Sequence, residues 1–228
     1  MPILDNRKNI RSFGRVNGRG ATKIDQNIFR EKLSKYSVEL GENMNFNEIF
    51  QNDCENHLEI GCGYGESIVA RAVGNENANH VACEIYLKGV ANLLNLIEQN
   101  DLKNIKIFNG DARLLLDNVA DGSFAKVFLL FPDPWPKKRQ NKKRIIGEEF
   151  LAMLARKMKA GGEFFFVSDI DDYVEWTLEK VEENGLFKKV SLSATPPSWW
   201  ADTRYQQKAG EEGRAATFIN FVNLRGQL

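Results

Sequence analysis

Asp133 lies between Pro132 and Pro134, just before Trp135, and the cations Lys137, Lys138, Arg139, Lys142, Lys143 and Arg144 follow closely. A fixed carboxylate, an aromatic face and a cationic rim are the parts needed to hold one nucleobase while gripping its phosphates. Taken alone, the same residues also describe a proline-rich strand exit followed by a solvated charge run. The apolar run 127–130 reads as a buried strand, and Pro132, Pro134 and Pro136 stop it abruptly. The chain is expected to leave a sheet there in a stiff, extended turn.

A second constellation lies upstream. Residues 57–60 read as a short strand that enters a glycine turn, Gly61-Cys62-Gly63-Tyr64-Gly65, with a helical pattern from Glu66. Alternate glycines let the backbone approach a ligand where a Cβ would collide. A dinucleotide fold asks for a third glycine where this chain has Glu66, and an acid there repels a pyrophosphate. A cofactor without phosphates fits better. S-adenosylmethionine is one, and Glu59 is placed to accept from its amino-acid end, directly or through water. Two further strand-like runs end in acids, 80–83 at Glu84 and 105–108 near Asp111. In a doubly wound parallel sheet such ends gather along one edge, where ligands bind. Glu84 then bridges ribose hydroxyls and Asp111 faces the adenine amino group; the plainer reading of each is a helix cap.

These groups need a frame to position them. Strand-like and helix-like segments alternate through the 228 residues, as expected for one α/β domain with extensions. Helices are predicted over 24–36, from 66, and over 90–99, 112–116, 148–159 and 173–184, with Gly161-Gly162 ending the fifth. Strands are predicted over 57–60, 80–83, 105–108, 127–130 and 164–167, with 190–193 and 218–224 as an antiparallel pair at one edge. The result is an α/β fold with a mostly parallel, seven-stranded, doubly wound sheet. Residues 1–23 form a basic arm, expected to be mobile when free, in which Arg7, Lys8, Arg11, Arg15, Arg19 and Lys23 face only Asp5. The domain proper covers 24–228.

Composition narrows the classes. Thirty-one basic and 31 acidic residues cancel, so a nucleic-acid partner is signalled by where the charge lies and not by its sum. Cys54, Cys62 and Cys83 are odd in number and lack CxxC spacing, which argues against a disulfide framework or a zinc site and for a reducing compartment. No apolar stretch approaches the length of a membrane span, and no signal-peptide core is present near the start. A cytoplasmic location, no membrane and no metal are therefore expected.

LEIGCGYG at 58–65, Cys83-Glu84, GDA at 110–112 and, above all, FPDPWPKKR with NKKRI at 131–145 resemble the bacterial tRNA (guanine-N7)-methyltransferases. The resemblance covers most of the chain, including SFGR at 12–15 and Thr203-Arg204-Tyr205. It implies a Rossmann-like class I methyltransferase that transfers methyl from S-adenosylmethionine to N7 of a guanine in the tRNA variable loop, at position 46 in the family. It also implies cofactor contacts at Glu59, Gly61, Gly63, Glu84, Asp111 and Asp133, with Asp133 catalytic. Substrate contacts are implied at Lys137, Asp169, Thr203, Arg204, Tyr205 and Gln206, with Arg139, Lys142, Lys143 and Arg144 on the RNA. The family pattern Thr-x-aromatic-Glu ends here in Gln206, which offers guanine N1 and N2 a neutral carbonyl in place of a carboxylate.

Two rivals differ in their residues. An amino-methylating nucleic-acid enzyme uses Asn/Asp-Pro-Pro-aromatic, and Asp133-Pro134-Trp135 lacks the second consecutive proline. A non-catalytic, methyltransferase-like RNA-binding subunit is favoured by Gln206 alone. Trp135, Trp199 and Trp200 are equally consistent with base stacking and with core packing, and both monomer and homodimer remain open.

Overall fold

The computed structural model describes residues 22–201 and 203–226, so the basic arm before Thr22 lies outside the described residues. Strands β1 (Glu55–Ile60), β2 (Ala78–Cys83), β3 (Ile105–Phe108), β4 (Phe124–Leu130), β5 (Met158–Ser168), β6 (Phe187–Ser193) and β7 (Thr217–Asn223) form one sheet in the order β3-β2-β1-β4-β5-β7-β6. The strands β1 to β5 pair in parallel, and β7 runs antiparallel between β5 and β6. Helices α1 (Lys23–Tyr36), α2 (Phe46–Phe50), α3 (Glu66–Gly74), α4 (Leu87–Gln99), α5 (Ala112–Asn118), α6 (Glu148–Lys157), α7 (Asp171–Asn184) and α8 (Arg204–Glu211) complete the described chain.

Strand residues alternate between two apolar layers, as the period of a pleated strand requires. Leu58, Ile60, Val127, Leu129, Phe164, Phe166, Ile219 and Phe221 face the layer of α5, α6 and α7. On the other face α1, α3 and α4 cover only the β1–β3 half, with Ile68, Leu93 and Ile97 packed on Ala82 and Ile107. The β4–β5–β7 half of that face carries Phe128, Phe165 and Phe218 and is covered by a loop through Trp199 and Trp200 instead of by a helix. Both indoles thus pack on the sheet: Trp199 lies edge-on to Phe128 at 5.2 Å and Trp200 to Phe218 at 4.8 Å.

The glycine pair at 161–162 does not end a helix. Helix α6 stops at Lys157 with its N–H to C=O ladder closing on Leu154, and the chain passes straight into β5. Gly161 (φ 70°) and Gly162 instead form a bulge, because Met158 pairs with Phe124 while Glu163 pairs with Lys126.

His57 and His80 are buried on neighbouring strands with rings meeting edge to face at 5.2 Å. Burial, joined by Lys126, lowers His57 to about 4, and burial, joined by His57, lowers His80 to about 3. The unfolded chain binds these protons near 6.5 and the fold refuses them, so stability is complete above that pH and is lost as pH falls toward 4. Guanidinium unfolding from pH 6.5 down to pH 4 should therefore show a falling midpoint, and His80→Leu should make the decline shallower. An identical slope in the variant contradicts this.

Candidate functional site

The chain runs outward from β1 to β3 and then crosses back to β4, so the crevice between the C-terminal ends of β1 and β4 is the switch point of the sheet. The glycine loop turns there. Gly61 has φ 72° and a Cβ added to it meets nothing within 4 Å, so its outer face is open. The Gly63 carbonyl presses on α4, where a Cβ on Gly89 would lie 2.3 Å from it. Only glycine at position 89 permits that approach.

Glu84 fastens this loop from the end of β2. Its Oε2 accepts from Gly63 N at 2.7 Å, and its Oε1 accepts from Ile85 N at 2.7 Å and Tyr86 N at 2.8 Å. A carboxylate has about four acceptor positions, so one on Oε2 remains for a ligand hydroxyl. Burial raises the Glu84 carboxyl, the three N–H groups pull it down, and the charge of Asp133 raises it again.

Asp111 lies beside it as the N-cap of α5, with Oδ1 accepting from Arg113 N at 2.9 Å and the Arg113 guanidinium clasping both oxygens. The cap reading is realised, and one position on Oδ2 stays open. Glu59 lines the crevice with Gly61, Phe131 and Tyr205. Its buried carboxylate pairs with Arg71, whose guanidinium lies 3.9 Å over the Phe128 ring and also donates to Ser67 Oγ at 2.6 Å. Burial raises the Glu59 carboxyl and Arg71 opposes that.

The turn after β4 is strained at both ends: Phe131 has φ 48° and Trp135 has φ 44°, conformations that cost non-glycine residues of order 1–3 kcal/mol. Arg144 holds them. Its Nε donates to the Pro134 carbonyl at 2.9 Å, its Nη2 pairs with Asp172, and its guanidinium lies 4.8 Å over Tyr173 and 5.3 Å over Trp176. The expected RNA contact at Arg144 is thus corrected: its side chain is wholly buried beneath the turn and cannot face a phosphate. Lys138, Arg139 and Lys142 do stay exposed, on a 3-10 turn (Lys138–Lys143) that the sequence did not signal, as does Lys137 at its N-cap. Lys143 lies 4.4 Å over the Trp135 ring. Asp133 is exposed at the top of the turn.

Helix α8 closes the crevice. Thr203 is its N-cap, accepting from Gln206 N at 3.2 Å, and Arg204 reaches Glu66 at 2.8 Å and covers the Tyr64 ring at 4.5 Å. The Tyr205 ring lies over Gly63, where an added Cβ would come within 3.4 Å of it, and stacks on Phe131 at 6.4 Å. Burial raises its phenol, followed by the charges of Glu84 and Asp133.

A family model described as "Putative methyltransferase" matches residues 53–219. A tRNA (guanine-N(7)-)-methyltransferase of Agrobacterium fabrum is 38% identical over 195 residues, covering 83% of this chain and 84% of that one. One from Azorhizobium caulinodans is 35% identical over 217 residues, covering 93% and 94%. The chain belongs to the tRNA (guanine-N(7)-)-methyltransferase family. Among solved structures, the 16S rRNA methyltransferase KamB superposes with a TM-score of 0.61 at 14% identity, covering 82% of this chain and 98% of that one. That likeness shows the fold alone.

In the 203–206 segment Gln206 stands where the resemblance implies an acid, and its amide oxygen accepts from the Trp200 indole N–H. Asp169, at the end of β5, is clasped by Arg214 at 2.6 Å, a partner that lies far away in sequence. Among the described residues no cluster of acids, histidines or cysteines could hold a metal, and no helix is long and apolar enough to cross a membrane.

Arg144→Gln should lower stability by about 1–3 kcal/mol in chemical denaturation, because the Pro134 carbonyl loses a charged donor. It should leave the salt dependence of tRNA binding unchanged. Arg139→Gln should do the reverse, reducing the slope of log affinity against log salt at near-constant stability. A reduced salt slope for Arg144→Gln would return that residue to the RNA surface.

Proposed function

We propose that this protein transfers a methyl group from S-adenosylmethionine to N7 of a guanine in the variable loop of tRNA. The observation that carries the reading is the meeting, at one switch-point crevice, of the glycine loop that Glu84 fastens with the start of the Asp133 turn at Phe131, beside an exposed basic turn. The residues fit the cofactor. Gly61 leaves open backbone for its amino-acid end, Glu84 keeps one acceptor for a ribose hydroxyl, and Asp111 keeps one for the adenine amino group. When bound, S-adenosylmethionine supplies a methyl on a sulfonium, so that the N7–C bond forms as the C–S bond breaks and a neutral thioether leaves.

Guanine N7 carries an in-plane lone pair and no proton near neutral pH, so this chain needs no general base. Its residues supply position. Holding nucleophile and methyl in line is worth about 7–11 kcal/mol in well-oriented systems. The purine gains positive charge as methyl arrives, and Asp133 is the carboxylate that favours it. Asp133 is free to do so because Arg144, and not Asp133, secures the turn. Lys137, Arg139 and Lys142 take the flanking phosphates, and a splayed loop base reaches the crevice as single-stranded RNA bases do. Tyr205 has to leave Phe131 for cofactor and base to enter together.

Two experiments test this reading. Borohydride and aniline cleavage of tRNA treated with enzyme and cofactor should cut the chain at one variable-loop guanine; methylation elsewhere, or on an exocyclic amine, contradicts it. Asp133→Asn should keep the fold and cofactor affinity while lowering kcat by about 10²–10³, the scale for removing one preorganised electrostatic group. Near-normal turnover would remove Asp133 from the chemistry.

A further inference from the structure

A carboxylate as deeply buried as Glu59 keeps its charge only if a cation meets it there. Glu59 is 3% exposed near the end of β1, yet it lines the crevice beside Gly61. Among the described residues its carboxylate has one partner: Oε2 accepts from Arg71 Nη2, and nothing donates to Oε1. Arg71 reaches it from α3 and is itself held in place. Its Nη1 donates to Ser67 Oγ at 2.6 Å, and its guanidinium lies 3.9 Å over the Phe128 ring and 5.7 Å over that of Trp199. Burial raises the Glu59 carboxyl, Arg71 lowers it, and the charges of Glu84 and Glu66 push it up again. Arg71 is thus the cation on which the ionisation of Glu59 depends.

We propose, resting on the S-adenosylmethionine reading, that Arg71 is a positioning residue for the cofactor: it holds Glu59 ionised and turned so that Oε1 accepts from the ammonium of the cofactor's amino-acid end. The two cations then use different oxygens of one carboxylate. A protonated Glu59 would offer that ammonium only a neutral acceptor, whose bond is roughly half as strong. The other groups around the pair leave the neutral range to Glu59. His57 and His80, whose protons the charge of Arg71 helps to exclude, titrate at about 4 and about 3. Burial raises the Cys62 thiol well above its ordinary value and raises the Tyr205 phenol as well. Glu66 pairs with Arg204 at 2.8 Å, and Glu84 is held by its three backbone N–H donors.

The test is calorimetric titration of the full-length protein with S-adenosylmethionine from pH 6 to pH 8.5. Each variant is read as the ratio of its Kd to that of the wild type at the same pH, which cancels the titration of the ligand's own amine. Arg71→Met fills the place over Phe128 without a charge. Its ratio should be about tenfold or more at pH 6 and should shrink by about threefold or more by pH 8.5, as the buried Glu59 regains its charge. Arg71→Lys keeps a cation, so its ratio should stay within about threefold of one across the range, with no slope. The double variant Glu59→Gln/Arg71→Met retains His57, His80 and Cys62 but has no carboxyl at 59, and its ratio should be flat. A merely structural Arg71 would weaken binding equally at every pH. A flat ratio for Arg71→Met therefore overturns the proposal, as does a slope that persists in the double variant. Should Arg71→Met fail to fold, the wild type and Glu59→Gln decide. Glu59→Gln should bind about tenfold more weakly, the scale of a lost charge-assisted bond, and calorimetry in two buffers of different ionisation heat should give both proteins the same proton release at pH 7. Unweakened binding by Glu59→Gln, or a larger release by the wild type, overturns the proposal without any Arg71 variant. No binding of S-adenosylmethionine by the wild type would overturn the cofactor reading itself, which is a separate failure.

Discussion

The crevice depends on one buried carboxylate. Glu84 accepts from the N–H groups of Gly63, Ile85 and Tyr86, and so joins the glycine loop after β1 to the end of β2. Without those bonds three backbone donors would lie unpaired at the sheet edge, each costing about 1–3 kcal/mol. The joint also fixes where α4 begins, and the contact of Gly63 with Gly89 brings that helix against the loop. Every other group at the site, from Asp111 on one side to Tyr205 above, is placed relative to this edge.

Charges divide by burial into two tasks. Glu59 with Arg71, Arg144 with Asp172 and Asp111 with Arg113 are paired groups that hold loops and helix ends. Asp133, Lys137, Arg139 and Lys142 remain exposed around the crevice. The strained turn between Phe131 and Trp135 shows why both kinds are needed. Its backbone conformation persists only because Arg144 and the rings of Tyr173 and Trp176 over-determine it. That support leaves the Asp133 carboxylate without a structural task.

Elements with a strong local pattern were legible. The run 105–108 is β3 residue for residue, and the acids at 84 and 111 do end their strands at one edge. Misreadings arose where tertiary pairing decides. Gly161-Gly162 resembles a helix stop, yet β4 pairs with the residues on either side of it and makes it a bulge. Arg144 looks like one more cation in a basic run, and only the fold shows that its guanidinium turns under the loop toward Asp172. The sequence does not show Arg71, Arg113 and Arg214 as partners of the predicted acids; Arg214 is separated from Asp169 by whole elements, and Arg71 from Glu59 by the glycine loop. Helix α8 did have a signal. Thr203 with Gln206 three residues later is the spacing of a capping box, although here the Gln206 side chain turns to Trp200.

Two pockets among the described residues could admit a ligand. The larger is a cavity of about 470 Å³ on the half-covered sheet face, lined by His57, His80, Phe128, Phe165 and Trp199. It lies away from the strand ends, whereas the narrower crevice at Gly61, Phe131 and Tyr205 lies on them. Chemistry favours the narrower one, since the open backbone and the free acceptors are there. The decisive measurement is a crystal structure with S-adenosylhomocysteine bound. The ligand is predicted to span the crevice, with its amino-acid end over Gly61, its ribose on Glu84, and Tyr205 displaced from Phe131. Density for the ligand in the larger cavity, with Tyr205 unmoved over Gly63, would contradict the account.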